Sequence, residues 1–314
     1  MPRQMTNLVF LVCILTVAAG TQAEKLKIAT FNCEFLTRPK VHIKFGEDFR
    51  FDGWSDTFRD QQFAIAAEAV AEVIADIDAD IIALTEVGKE EDVEELRLAV
   101  ANQGVDYPHM AFGKSTDTST RQNVAILSKL PLFGVLQQIP GRESYDKELD
   151  DPETEADTGI SKGMVAEFEF EGETFTLYVL HLKSEAGGHE ADAQRVAQAS
   201  IVRRHYLPEL HDGQHIIVAG DLNDYRGQPA IRRIRGRDDI FADLIQTGLA
   251  KYFDDDELDT RWTYEFMGQR NQIDHILLSL SIKDVTDDIA AEVFDHGNPL
   301  ASDHRALVVT LDLD

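Results

Sequence analysis

Short apolar runs recur along the chain, and polar punctuation follows each of them. LKIATFNCEF (26–35), IIALTEV (81–87), NVAILS (123–128) and PLFGVLQQI (131–139) read as strands. So do MVAEFEF (164–170), TFTLYVLHL (174–182), HIIVAGDLND (215–224), WTYEF (262–266), QIDHILLS (272–279) and RALVVTLDL (305–313). Residues 56–80, 89–103 and 193–207 carry apolar positions at helical spacing instead. Glu171-Gly172-Glu173 joins two runs with a hairpin signal.

The strands occur both in βαβ alternation and as hairpins. A simple doubly wound sheet lacks the hairpins. The pattern therefore predicts an α/β domain of two mixed sheets packed face to face with helices outside. No Pro/Gly/Ser-rich linker or internal repeat divides residues 24–314, which read as one domain. Residues 143–159 are expected to form a long mobile loop. Residues 1–23 differ in kind: Arg3, the apolar run 8–19 and Thr21-Gln22-Ala23 have the layout of a secretory signal peptide. The expected location is secreted or periplasmic, with no stable membrane insertion after cleavage. Cleavage removes Cys13 and leaves Cys33 alone, which excludes an intramolecular disulfide in the mature chain.

At 43% apolar residues the chain can build a sizeable core. Its net charge of −27 would repel a polyanion and counts against a nucleic-acid reading unless the charge is unevenly spread, and it is uneven. Residues 226–237 hold five arginines and no acid, whereas 143–157 hold eight acids and one lysine. Neither 143–157 nor 254–257 has the alternating ligands and glycine of an EF-hand, so both read as solvated acidic loops.

The unusual feature is where polar residues interrupt the apolar runs. Asn32, Glu34, Glu86, His181, Asp221, Asn223, Asp303 and His304 each lie at the end of a run, and Asp274 lies within QIDHILLS. One acid at a strand end is an ordinary turn former. The same anomaly on many strands points to a shared edge where these side chains converge. Oxygen donors dominate and no cysteine cluster exists, which favours a hard cation such as Mg²⁺, with Mn²⁺ or Ca²⁺ as alternatives. Asn32, Glu86 and Asp303 suffice to hold it. A histidine oriented by a buried aspartate can move a proton or stabilise charge on a phosphoryl group. In an extended chain Asp303 and His304 would point to opposite sides, making separate contributions.

TFNCEFL, LTEV, HLKS, GDLND, QIDHIL and SDHRAL occur in this order. The chain thereby resembles the endonuclease/exonuclease/phosphatase superfamily over essentially all of residues 24–314. The resemblance implies a four-layer α/β sandwich and metal-dependent attack of water on a phosphoester. It implies that Asn32, Glu34, Glu86 and Asp303 serve the metal, and that His181 and Asn223 contact the phosphate. Asp221 would position or deprotonate the water, and Asp274 would orient His304. The division of labour between Asp221 and His304 stays open. Where many members place a tyrosine and a glycine, this chain has Arg121-Gln122-Asn123. Arg121 can replace the tyrosine as a phosphate clamp, and Asn123 suggests a left-handed backbone position.

Three substrate classes compete. Similarity to secreted bacterial nucleases, together with the arginines of 226–237, favours nucleic acid. The net charge favours a small phosphoester such as an inositol phosphate or nucleotide. A sphingomyelinase-like activity calls for an exposed apolar hairpin, and Trp54 and Trp262 are isolated in the sequence.

Overall fold

The computed structural model describes residues 24–148, 154–225, 227–236, 244–246 and 262–313. The expected signal peptide lies outside the described residues, as does the acidic run 254–257. No described helix is long and apolar enough to cross a membrane.

Two six-stranded mixed sheets form the centre. The first is built from β1 (Lys25–Leu36), β2 (Ile81–Val87), β3 (His109–Gly113), β4 (Asn123–Ser128), β15 (Thr286–Phe294) and β16 (Ala306–Leu313). Its order is β15-β16-β1-β2-β4-β3, with β1 and β2 parallel. The second contains β5 (Phe133–Leu136), β8 (Gly163–Phe170), β9 (Glu173–His181), β10 (His215–Asp221), β11 (Leu244–Gln246) and β14 (Asp274–Ser279). Its order is β11-β14-β10-β9-β8-β5, with β9 and β10 parallel. Each sheet thus carries one parallel pair near its middle, flanked by antiparallel neighbours.

Alternation along the strands decides which side chains meet. Leu26 and Ile28 of β1, Ile81 and Ala83 of β2, and Leu307, Val309 and Leu311 of β16 pack inward. They meet Phe175, Leu177 and Val179 of β9, Ile217 and Ala219 of β10, and Ile276 and Leu278 of β14. The opposite face of the first sheet packs on α1 (Asp56–Ile77) and α2 (Glu90–Asn102) through Phe31, Ile82, Leu84, Phe63, Ile74 and Leu96. That of the second packs on α3 (Gly188–His211) and α4 (Pro229–Arg235) through Tyr178, Leu180, Val218, Val202, Tyr206 and Ile231. The molecule is the expected four-layer sandwich.

Several expectations are corrected. The stretch 143–159 is not simply a loop: β6 (Glu143–Asp146) and β7 (Glu155–Thr158) pair antiparallel beside α3. The run 131–139 yields only the short, exposed edge strand β5. Strands β3 and β15 escaped the sequence reading, β15 because its alternation is diluted by the acids Asp287, Asp288 and Glu292. WTYEF does not join a main sheet. Its last three residues form β12 (Tyr264–Phe266), a small hairpin with β13 (Gln269–Asn271). In the arginine-rich stretch, α4 buries Ala230, Ile231 and Ile234 and leaves Arg232 and Arg233 exposed. Arg226 and Arg237 lie outside the described residues.

Gly220 shows how tightly β9 and β10 approach. Its φ is +134°, and a Cβ built there would meet the Leu180 carbonyl oxygen at 1.9 Å. At the β8–β9 turn, Gly172 has φ +86° but opens on free space. Gly220→Ala is expected to lower the unfolding free energy by roughly 3 kcal/mol through strain and clash. Gly172→Ala should cost about 1 kcal/mol from its backbone conformation alone. Urea denaturation of both variants tests this; equal losses would contradict the close approach.

Candidate active site

The inner faces of both sheets turn polar at the same edge. On β1 the alternation that turns Ile28 and Thr30 inward brings Asn32 inward next. On the second sheet, one step past Ala219, Val179 and Ile276, come Asp221, His181 and Asp274. Asp221 is in register with His181 on one side and Asp274 on the other, so the three sit in a row on one face. Asp274 is the first residue of β14 and belongs with the other strand-end residues. His275 alternates to the opposite face, where its Nε2 lies 2.9 Å from the Asp224 carbonyl.

Glu86 reaches this row by breaking alternation. It has φ +59°, and the β2–β4 register shifts between Thr85 and Val87. Glu34 and Phe35, at φ +42° and +46°, lie within a similar irregularity between β1 and β2. Asn223 has φ +49°. Left-handed non-glycine residues cost about 1–3 kcal/mol each, so their concentration here marks a locally strained edge that the surrounding fold holds.

Asn32 ties the two sheets together. Its Nδ2 donates to Glu86 Oε1 at 3.2 Å and to Asp221 Oδ2 at 2.9 Å. Glu86 Oε2 accepts from the Phe35 N–H at 2.9 Å and from Gln122 Nε2. Asp221 Oδ1 accepts from the Asn223 N–H at 2.9 Å, and Asn223 Nδ2 donates to the Leu182 carbonyl at 3.2 Å. His181 Nε2 lies 3.7 Å from Glu86 Oε1 and 3.9 Å from Asp221 Oδ2. His304 Nδ1 is 2.8 Å from Asp274 Oδ2, both buried. The Tyr264 ring stacks on His304 at 4.6 Å.

Asp303 and His304 do not point to opposite sides. The chain bends at Asp303, and the Ser302 hydroxyl accepts from the His304 N–H at 2.9 Å while donating to the Asn32 carbonyl at 2.7 Å. Asp303 Oδ1 consequently lies 3.9 Å from His304 Nε2. Glu34 Oε2 is 3.4 Å from Lys44 Nζ, whose side chain is fully buried and also donates to the Cys33 and Ala301 carbonyls, each at 2.9 Å. Lys44 thereby fastens the Ser302–His304 bend to β1.

Of these, Glu34, Glu86, His181, Asp221, Asn223, Tyr264, Asp303 and His304 line a cavity of about 720 Å³ together with Phe35, Gln122, Lys162, Lys183, Glu185 and Phe266, whereas Asn32 and Asp274 are not among the lining residues. The lining includes Gln122 rather than Arg121. Arg121 is exposed at φ +62°, so it, not Asn123, takes the left-handed position. Asn123 instead accepts from the Ser115 N–H and donates to the Gly88 carbonyl, both at 2.8 Å. Gln122, Lys162, Lys44, Ser302 and Tyr264 were missed from sequence. Gln122 and Lys162 each directly precede a core strand, the same signal that singled out the acids.

Charge crowding sets the electrostatics. Burial, then Asp274 and Glu86, push Asp221 up to about 7 despite opposition from His304. Burial, with the Asp303 and Glu86 charges, lifts Glu34 to about 6 against Lys44. Burial would lower His304, but Asp274, with help from Asp221 and Asp303, pushes it up to about 10. His181 is driven well below its ordinary value by burial and by the Lys162 and His304 charges, so it is neutral. Cys33 is buried, and its thiol is pushed up to about 12, so it is inert packing.

The donor set fits a hard divalent cation. Glu86, His181 and Asp221 offer ligand atoms within 4.8 Å of one another, as do Asp221, Asp274 and His304. Glu34 and Asp303 add carboxylates to the same cavity. Asn32 serves this set by fixing Glu86 and Asp221 through its Nδ2, while its Oδ1 accepts from the Glu34 N–H at 2.9 Å. Two carboxylates raised by burial and then by neighbouring acids, Asp221 and Glu34, are the environment a cation relieves.

A family model described as the Endonuclease/Exonuclease/phosphatase family matches residues 29–304. Among solved structures, truncated TDP2 from Caenorhabditis elegans is similar at TM-score 0.56 and 17% identity, over 92% of this chain and 98% of that one. A mutant beta toxin from Staphylococcus aureus with bound magnesium ions is similar at TM-score 0.56 and 14% identity, over 91% and 99%. An endonuclease/exonuclease/phosphatase family protein from Leptotrichia buccalis reaches TM-score 0.57 at 13% identity, over 92% and 100%. No curated protein sequence matches.

Asp274→Asn should keep the fold, shown by an unchanged circular dichroism spectrum, yet lose phosphoester hydrolysis by roughly a hundredfold or more, because His304 loses its orienting charge. A near-wild-type rate would remove the pair from the chemistry. The chain belongs to the endonuclease/exonuclease/phosphatase family, whose members are divalent-metal-dependent hydrolases of phosphoester bonds.

Proposed function

We propose that the protein is an exported, Mg²⁺-dependent phosphodiesterase that cleaves nucleic acid. The observation that carries the substrate class is a row of aromatic faces beside the catalytic edge. Tyr264 stacks on His304, and Phe266 lies 6.4 Å from Tyr264 with ring planes 12° apart. Both line the cavity, and Phe266 is 56% exposed. Such faces suit unstacked bases, whose stacking contributes about 1–3 kcal/mol each without demanding a broadly basic surface. That reconciles a polymer substrate with the net charge of −27.

When bound, the cation polarises the phosphoryl oxygens and stabilises developing charge. Glu86 would hold it, kept in place by the Asn32 amide, and the Asp303 and Glu34 carboxylates of the same cavity would add negative charge. Asp221 takes the proton of the attacking water; a carboxylate pushed up to about 7 is well matched to that work near neutral pH. His304, kept protonated by Asp274, serves the phosphate as a cation and proton donor. Neutral His181 and the Asn223 amide orient the phosphate. Export rests on the signal-like residues 1–23.

A lipid phosphodiesterase is the second reading. The hairpin β12–β13 carries Phe266 and, at its tip, Met267 at 89% exposure, which supplies the exposed apolar loop that the sequence alone did not reveal. Its base is anchored by Arg305 over the Trp262 ring at 3.5 Å and by the Arg305 N–H to the Thr263 carbonyl at 2.7 Å.

The test is hydrolysis of plasmid DNA, RNA, a chromogenic bis-ester, phosphomonoesters and sphingomyelin vesicles in Mg²⁺, Mn²⁺ or Ca²⁺. Nucleic-acid cleavage abolished by EDTA is expected. Turnover of monoesters or sphingomyelin without nucleic-acid cleavage would reject the nuclease. Phe266→Ala should raise KM for nucleic acid roughly tenfold while leaving the small bis-ester unaffected. Equal effects on both substrates would contradict a stacking role.

A further inference from the structure

Lys162 is a buried cation in the wall of the catalytic cavity. Its backbone is pinned, because its carbonyl accepts from the His181 N–H at 3.0 Å. Its Nζ donates to Gln122 Oε1 at 3.1 Å and lies 3.9 Å from Asp117 Oδ2. Burial lowers its pKa, while the charges of Glu86, Asp117 and Asp221 oppose that shift. Gln122 is itself only 2% exposed.

The chemistry of this contact has a direction. An ammonium offers donors only, so Gln122 must turn its carbonyl oxygen toward Lys162. The amide nitrogen is then obliged to face the other way, where it donates to Glu86 Oε2. The Phe35 N–H donates to the same oxygen. Glu86 Oε2 is thus held by two donors, while Oε1 faces Asn32 and His181 across the cavity. Without Lys162 the amide oxygen loses its anchor and the side chain is held only by Glu86, so it no longer fixes the rotation of that carboxylate.

We propose that Lys162 is a positioning residue of this centre: by fixing the orientation of the Gln122 amide, it holds Glu86 with Oε1 turned to the divalent cation. This rests on the reading of Glu86 as a cation ligand, and the role is exerted wholly through Gln122. Two alternatives make different predictions. A lysine acting only as a nearby charge repels the cation, so its removal would tighten metal binding. A lysine serving only packing would not be coupled to Gln122.

The experiment is Mn²⁺ binding by isothermal titration calorimetry to the wild type, Glu86→Gln, Lys162→Met, Gln122→Leu, the Lys162→Met/Gln122→Leu double variant and Lys162→Arg. Circular dichroism and thermal melts check folding. Each of the single changes Lys162→Met and Gln122→Leu should weaken Mn²⁺ binding about tenfold or more, the usual effect of losing a partner of a metal ligand. The double variant should be no weaker than the weaker single, since both remove one linkage. Lys162→Arg, which keeps a cationic donor, should bind more tightly than Lys162→Met. Tighter binding by Lys162→Met, multiplying losses in the double variant, or unchanged binding by Gln122→Leu would each overturn the proposal. Should Lys162→Met fail to fold, Gln122→Leu and Lys162→Arg decide it alone. Unchanged affinity in Glu86→Gln would also overturn it. A wild type that binds Mn²⁺ through Glu86 but hydrolyses no phosphoester would defeat the proposed function and leave this positioning role standing.

Discussion

The site depends on one amide. Asn32 Nδ2 donates to Glu86 on the first sheet's edge and to Asp221 on the second, so a single side chain fixes the spacing of two acids from different layers. Left alone, buried carboxylates repel one another, and the desolvation of each favours its neutral form. The fold meets this with donors of fixed position: Asn32, Gln122, the backbone N–H groups of Phe35 and Asn223, and the cations Lys44 and Lys162. The apolar inner faces below supply the rigidity that such donors need.

The geometry of the edge follows from the sandwich. Because strand alternation is strict, the residues just past the inner core on β1, β9, β10 and β14 share one side, and Asp221 falls between His181 and Asp274 by register alone. Where alternation would misdirect a residue, the backbone bends instead: Glu86 turns inward at φ +59°, and the chain bends at Asp303 to place Ser302, Asp303 and His304 around β1. Strain is concentrated where chemistry is expected, and the packed layers on either side hold it.

Much of this was legible from polar residues at the ends of apolar runs. Asn32, Glu86, His181, Asp221, Asn223, Asp274 and His304 stand out because each violates the pattern of a core strand. Arg121 stood out for its charge, yet the buried neighbour Gln122 lines the cavity. Gln122 directly precedes a core strand, but a neutral amide beside an arginine draws less notice than the charge, and the Lys162–Gln122 contact spans 40 residues, beyond any local signal. Lys44 was hidden for the same reason: its partners Cys33 and Ala301 come from opposite ends of the domain. Strand β15 was hidden by its own acids, and the extended-chain rule misjudged Asp303 and His304 because a hydrogen bond from the His304 N–H to the Ser302 hydroxyl sets the local turn.

The proposed chemistry requires that the carboxylates gathered at this edge hold a divalent cation. The most direct measurement is anomalous scattering from a crystal soaked in Mn²⁺, compared between the wild type and Glu86→Gln. A strong anomalous peak is expected in the cavity against the Glu86 carboxylate, lost or greatly weakened in the variant. A cavity without a peak at saturating Mn²⁺, or a peak bound elsewhere and indifferent to Glu86, would contradict it.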